Sequence, residues 1–219
     1  MERILINGIE VFIEESERYV QVNDIEKNDL KLLWEVLRER FPGYELTLCF
    51  HNMMPPKDTL TSIGAEVLED CLDMRITQTE YAEYEDTSVS LLEKSDFFIF
   101  SAHHDKINPD CGATSKLIWS NWDNWRVFLL RKDNEIIGYT IISLAMHDNT
   151  IGEVYALEAD CIANKKSLLS SATRCAFANN KESVVFMVDK DNINDYNAAK
   201  AIGYKEVGYY IGYNIECIH

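Results

Sequence analysis

The chain has 219 residues, 47% of them apolar, with 21 Lys+Arg against 37 Asp+Glu, a formal net charge of −16. That length supports one large domain or two small ones with a real core. The charge repels phosphate backbones and so argues against a nucleic-acid partner; it suits a cationic partner such as an amine, or more plainly a solvated acidic surface. No segment reaches the roughly 18 apolar residues of a membrane span, and the opening "MERILINGIE" carries no long apolar stretch of the signal-peptide kind. Cys49, Cys71, Cys111, Cys161, Cys175 and Cys217 form no CxxC pair. The expectation is a soluble, reduced, cytoplasmic protein with no membrane partner.

In chain order, "RILINGIEVFIEE" alternates around Asn7-Gly8 and predicts an antiparallel hairpin, with "RYVQVN" as a third strand. "DIEKNDLKLLWEVLRERF" places Leu30, Leu33, Trp34 and Leu37 at helical spacing, and Pro42-Gly43 stops it. "YELTLCF" reads as a strand, "PPKDTLTSIGAEVLEDCL" as a second helix and "DMRIT" as a short strand. "TEYAEYEDTSVSLLEK" reads as a helix, "DFFIFSAHHDKINPD" as loop and "GATSKLIWSNWDNW" as a helix. "RVFLLRKDNEIIGYTIISLA" is a hairpin about Lys132 to Glu135, and "TIGEVYALEAD" is a further strand. A helix over "KKSLLSSATRCAFAN", a buried strand "SVVFMV", a helix "DYNAAKAI" and a long strand "YKEVGYYIGYNIEC" complete the chain.

The first half orders as β-β-β-α-β-α-β, which matches the last seven elements of the second. Element order alone therefore suggests an internal duplication, with units at 1–72 and 73–219. The second half resembles the GNAT-type N-acetyltransferases. The resemblance rests on the hairpin, on "GEVYALEAD", and on Val188, Asn192, Gly203 and Tyr204 in the block "FMVDKDN…AAKAIGYKEVGYY". It implies an α/β (α+β) fold with a mixed, mostly antiparallel sheet flanked by helices. The first half would be a truncated copy, as in tandem GNAT proteins.

The resemblance also implies a site. Two parallel strands, "GEVYALEAD" and "SVVFMV", would splay, and the pantetheine of acetyl-CoA would pair with the open strand edge. Asn192 would contact that arm, and a backbone N–H near Leu157 or Ala159 would hold the oxyanion. The pyrophosphate would lie at the next helix start, on Ala163, Asn164, Lys165, Lys166 and Ser167. The family's Gly-x-Gly is absent there, so the two lysines are as readily ordinary exposed residues.

For transfer to a small amine, a carboxylate must take the amine's proton. Glu158 is the first candidate and Glu153 the second; five residues apart, they face opposite sides of a strand unless a bulge intervenes. The family's helix tyrosine, which protonates the leaving thiolate, is here Ala199. Tyr196 stands one turn earlier, about 4.5 Å along the axis. Trp119, Trp122 and Trp125 follow at i, i+3, i+6, a core stripe or, through Trp119 and Trp122 with Tyr204, a wall of the acceptor pocket. "HHDK" (His103, His104) and "MHDN" (His147) lack metal-ligand spacing and read as loop histidines, so no metal is expected. A non-catalytic module of the same fold is the second reading, and self-association stays open.

Overall fold

The computed structural model describes residues 2–84, 88–109, 111–133, 135–145, 149–216 and 218. They form two compact units: Met1–Leu72 with Gly208–His219, and Asp73–Val207. The expected second unit ran to residue 219; here the chain from Gly208 packs with the first unit instead.

The first unit holds β1 (Glu2–Ile6), β2 (Ile9–Glu14), β3 (Tyr19–Asn23), α1 (Lys27–Arg40), β4 (Glu45–His51) and α2 (Lys57–Ser62). Asn7 and Gly8 both take positive φ, the condition of the tight turn between β1 and β2. β1–β2 and β2–β3 are antiparallel, whereas β3 and β4 are parallel, joined through α1. Leu30, Leu33 and Leu37 of α1 bury against Val20, Val22, Leu46 and Leu48. Residues 210–215 of β11 (Lys205–Ile215) pair antiparallel with β4.

"PPKDTLTSIGAEVLEDCL" is not one helix. It ends at Ser62, Gly64 follows at φ +79, and Glu66–Thr77 is a single strand, β5. The Glu- and Leu-rich composition favours helix locally, but the glycine in the left-handed region breaks it and Cys71, Met74 and Ile76 pack in extended form.

In the second unit, β6 (Val89–Leu91), β7 (Trp125–Lys132), β8 (Glu135–Ser143) and β9 (Ile151–Ala159) form an antiparallel run. α5 (Ile162–Ala178) then crosses over to β10 (Ser183–Asp189), which pairs parallel with β9. α6 (Ile193–Ile202) leads back into β11. α3 (Phe97–Ile107) and α4 (Ser115–Ser120) share a core with Val127, Leu129, Tyr139, Ile141 and Ala156 of β7–β9. This is the mixed α/β architecture expected.

Three local expectations fail here. "TEYAEYEDTSVSLLEK" forms no helix among its described residues. Tyr81 donates to the Ser170 carbonyl at 3.0 Å and Tyr84 N–H to Ser170 Oγ at 3.0 Å, which pins the chain in open form along α5 before β6. "DFFIFSAHHDKINPD" is helical rather than loop, because Phe97, Phe100 and His104 recur on one buried face. The three tryptophans do not share a helical face: α4 ends at Ser120, Trp122 lies in a 3₁₀ turn and Trp125 opens β7. Glu85 to Thr87, and the "MHDN" histidine His147, lie outside the described residues.

Candidate active site

β9 is the strand on which the site is built. Its pairing with β10 covers four positions and stops at Val154–Phe186. Its other edge stays paired with β8 as far as Ala159. From Tyr155 onward β9 therefore parts from β10, and its edge there needs other partners. At the same point the β8–β9 register slips: Ile141 faces Ala156 and Ile142 faces Val154, so Tyr155 is the extra residue of a bulge.

The bulge decides the carboxylate question. One extra residue between Glu153 and Glu158 restores their phase, so both lie on the α3 side of the sheet. Glu153 accepts from the Tyr155 hydroxyl at 3.1 Å, and Tyr155 stacks edge-on against Trp125 at 5.0 Å. Glu158 accepts from the Asn108 amide at 3.1 Å, beside Tyr139, its partner on β8. Burial first, then the neighbouring carboxylate, pushes the phenols of Tyr139 and Tyr155 well above their ordinary value, so both stay protonated donors. Cys111 lies in the same group, its thiol pushed up by burial.

The opposite face of the opening is closed by charge. Lys165, buried in the first turns of α5, donates to the Leu157 carbonyl at 3.0 Å and to Asp195 at 2.5 Å. Asn192 caps α6 by accepting from the Asp195 N–H at 3.2 Å, and its amide donates to the same carboxylate at 2.9 Å. Burial pushes the Asp195 carboxyl up, against the opposing pull of Lys165. Lys165 thus supplies β9 with a partner that the missing strand pairing does not.

The remaining sequence candidates separate. Ala163 is exposed, Asn164 bonds Asp160 at 2.9 Å, and buried Ser167 donates back to the Ala163 carbonyl at 3.0 Å, so its hydroxyl is spent inside the helix. Lys166 is half-buried on α5, and no acidic residue stands in that helix's first turn. Ala159 pairs with Gly138 of β8. Tyr196 is half-buried on α6, while Ala199 is fully buried. Trp119 and Trp122 pack on Phe97, at 4.9 and 5.7 Å, so Trp125 is the tryptophan that reaches β9. Tyr204 does not face a substrate: it is 1% exposed and its hydroxyl meets Thr173 at 2.9 Å, a core position.

Asn108, Tyr139 and Tyr155 escaped the sequence reading, and His104, expected as a loop histidine, is a buried residue of α3. His104 and Asn108 stand four apart, which puts them on one helical face once the segment is known to be helical.

A sheet whose parallel pair opens at a bulge, with a helix crossing at the opening, is a mixed α/β fold of one particular topology. Solved structures narrow it. The chain superposes on a GCN5-related N-acetyltransferase from Kribbella flavida with TM-score 0.69 and 11% identity, over 97% of this chain and 88% of that one. A functionally unknown conserved protein from Staphylococcus epidermidis gives 0.70 and 12%, over 99% and 94%. A tandem GNAT protein from the clavulanic acid biosynthesis pathway gives 0.55 and 11%, over 94% and 78%. The fold of this chain is the GNAT fold. No protein-family model and no curated protein matches the sequence. Among the described residues, no helix is long and apolar enough to cross a membrane.

Proposed function

We propose that the protein transfers an acyl group from acetyl-CoA to a small amine, with Glu158 as proton acceptor. The observation that carries this reading is the opening of β9 from β10 at the Tyr155 bulge, with Glu153 and Glu158 on one face of the open strand. Acetyl-CoA, when bound, supplies the thioester. The edge of β9 that β10 leaves beyond Val154 suits a pantetheine arm, with Leu157 and Ala159 as backbone partners, and Lys166 with the N–H groups at the start of α5 suits an anion. Lys165 must then release the Leu157 carbonyl, and Asn192 part of its bond to Asp195. Glu158 takes a proton from the incoming ammonium directly or through water, leaving a neutral nucleophile. Tyr196, on α6, or water returns a proton to the departing thiolate. The surplus of acid, −16 over the chain, favours a cationic acceptor. The first unit is read as a shortened copy of the same fold, and the setting as cytoplasmic.

The test is titration calorimetry with acetyl-CoA, followed by thiol release over a panel of amines. Binding by the wild type, with turnover that vanishes in Glu158→Gln, supports the reading; no binding at millimolar acetyl-CoA sinks it. A second reading, a non-catalytic module of the same fold, is favoured by Lys165 and Asn192 being engaged with Leu157 and Asp195. It predicts no turnover with any amine.

A further inference from the structure

We propose that Asn108 is the positioning residue for Glu158, held at the end of α3 beside buried His104 and its partner Tyr139. This rests on the reading of Glu158 as the proton acceptor.

The inner end of this group is buried His104. His104 is 1% exposed, and its Nε2 lies 3.0 Å from the Ala113 carbonyl. A carbonyl only accepts, so Nε2 carries the hydrogen. Nδ1 lies 2.9 Å from the hydroxyl of fully buried Tyr139. Tyr139 also stands opposite Glu158 on the β8–β9 ladder. A carboxylate only accepts, which fixes the way the Asn108 amide points: its NH₂ group faces Glu158, and one N–H reaches Oε1 at 3.1 Å. A flipped amide would set its oxygen against the carboxylate. Oε2 is left for the acceptor.

Packing holds the same parts rigid. His104 stacks on Phe100, with ring centroids 5.4 Å apart at an angle of 10°, and Phe100 meets Tyr139 edge-on. Asn108 closes α3, its N–H bonded to the His104 carbonyl at 2.9 Å. One helix end thus carries both the anchor and the group that meets the carboxylate. A carboxylate at the end of a flexible side chain loses rotamer freedom when such a donor fixes one oxygen, and that geometry is what proton transfer from a bound amine requires.

The experiment is a double-mutant cycle on acyl transfer, using Asn108→Ala, Glu158→Gln and the pair. Asn108→Ala is expected to lower kcat by about ten-fold or more, the scale of one hydrogen bond to a charged group, with KM for acetyl-CoA unchanged. In the Glu158→Gln background it should have no further effect. Asn108→Asp, nearly the same shape but unable to donate, should fall at least as far as Asn108→Ala. Tyr139→Phe should fall less, in the same direction. Equal effects in both backgrounds, or an Asn108→Asp variant as active as wild type, overturn the proposal while leaving the acyltransferase reading in place. A wild-type protein that acylates no amine, or a Glu158→Gln variant of full activity, removes that reading and this inference with it.

Discussion

Lys165 Nζ and Asp195 Oδ1 meet at 2.5 Å, with side chains only 10% and 11% exposed. The pair sits where β9 has lost its neighbour, and the ammonium also holds the Leu157 carbonyl. A buried ion pair is costly to break from one side, because the surviving charge has no partner. Asp195→Ala is therefore expected to destabilise the protein by about 3–5 kcal/mol. Lys165→Met with Asp195→Leu, which removes both charges, should stay much nearer wild type. Chemical denaturation of the three proteins checks the difference.

Glu153 and Glu158 share a face, but their surroundings differ. Glu153 takes the Tyr155 hydroxyl, whereas Glu158 takes an amide from α3. Glu158→Gln should lower kcat by roughly 10²–10⁴-fold, the usual range for a lost general base. Glu153→Gln should cost about ten-fold or less, as a neighbour that orders Tyr155. Steady-state kinetics of the two variants decides; the reverse order would move the proton acceptor to Glu153.

Gly138 faces Ala159 across the β8–β9 ladder. A Cβ there would stand 2.8 Å from the Glu158 carbonyl oxygen and 3.1 Å from the Ala159 Cβ. Backbone cannot give way as a flexible side chain does, so Gly138→Ala must displace β9 at Glu158. The expected result is a loss of about 1–3 kcal/mol from overpacking, together with a fall in kcat. Thermal melting and kinetics on the same sample measure both.

Glu80 links β5 to the start of β11. Lys205 bonds it at 2.6 Å, and Thr77 donates from its hydroxyl at 2.7 Å and from its N–H at 3.0 Å. The Lys205 bond, followed by the two from Thr77, lowers the Glu80 carboxyl from its ordinary 4.5 to about 2. A folded-state value below the unfolded one gives a contribution that is in place above pH 4.5 and lost as pH falls toward 2. The stability gap between wild type and Glu80→Gln should stay constant at neutral pH and close over that acid interval. Urea melts at several pH values follow it.

Periodicity revealed α1, α5, α6 and the hairpin of β7 and β8, because each has one buried face over many residues. It failed where local composition and tertiary role disagree. Glu66 to Leu72 looks helical and is a strand, since Gly64 ends the helix and the chain pairs as sheet instead. "FFIFSAHHDKI" looks too apolar and too rich in histidine to be a surface helix, yet its burial puts His104 and Asn108 behind β9. Glu158, Glu153, Lys165 and Asn192 were singled out by what the resemblance implies for their strand, loop and helix. Their true partners were not, because a one-residue bulge at Tyr155 and a salt bridge spanning thirty residues leave no mark on a single sequence. Tyr204 was misjudged since an aromatic after a helix-ending glycine looks the same whether it faces a cleft or a core. Gly203, at φ +109, leaves a Cβ no room beside the Glu80 carbonyl, and the chain turns inward there.

The boundary between the two units falls inside strands. The chain leaves the first unit within β5 and re-enters it within β11. A gene cut after codon 72 would thus yield a fragment whose β4 lacks the neighbour supplied by residues 210–215, and a bare inner edge of that kind templates aggregation. The remaining piece would end in an unpaired tail bearing Tyr210, Ile211 and Tyr213. Recombination that keeps the first unit intact has to carry both of its separate segments, Met1–Leu72 and Gly208–His219, together.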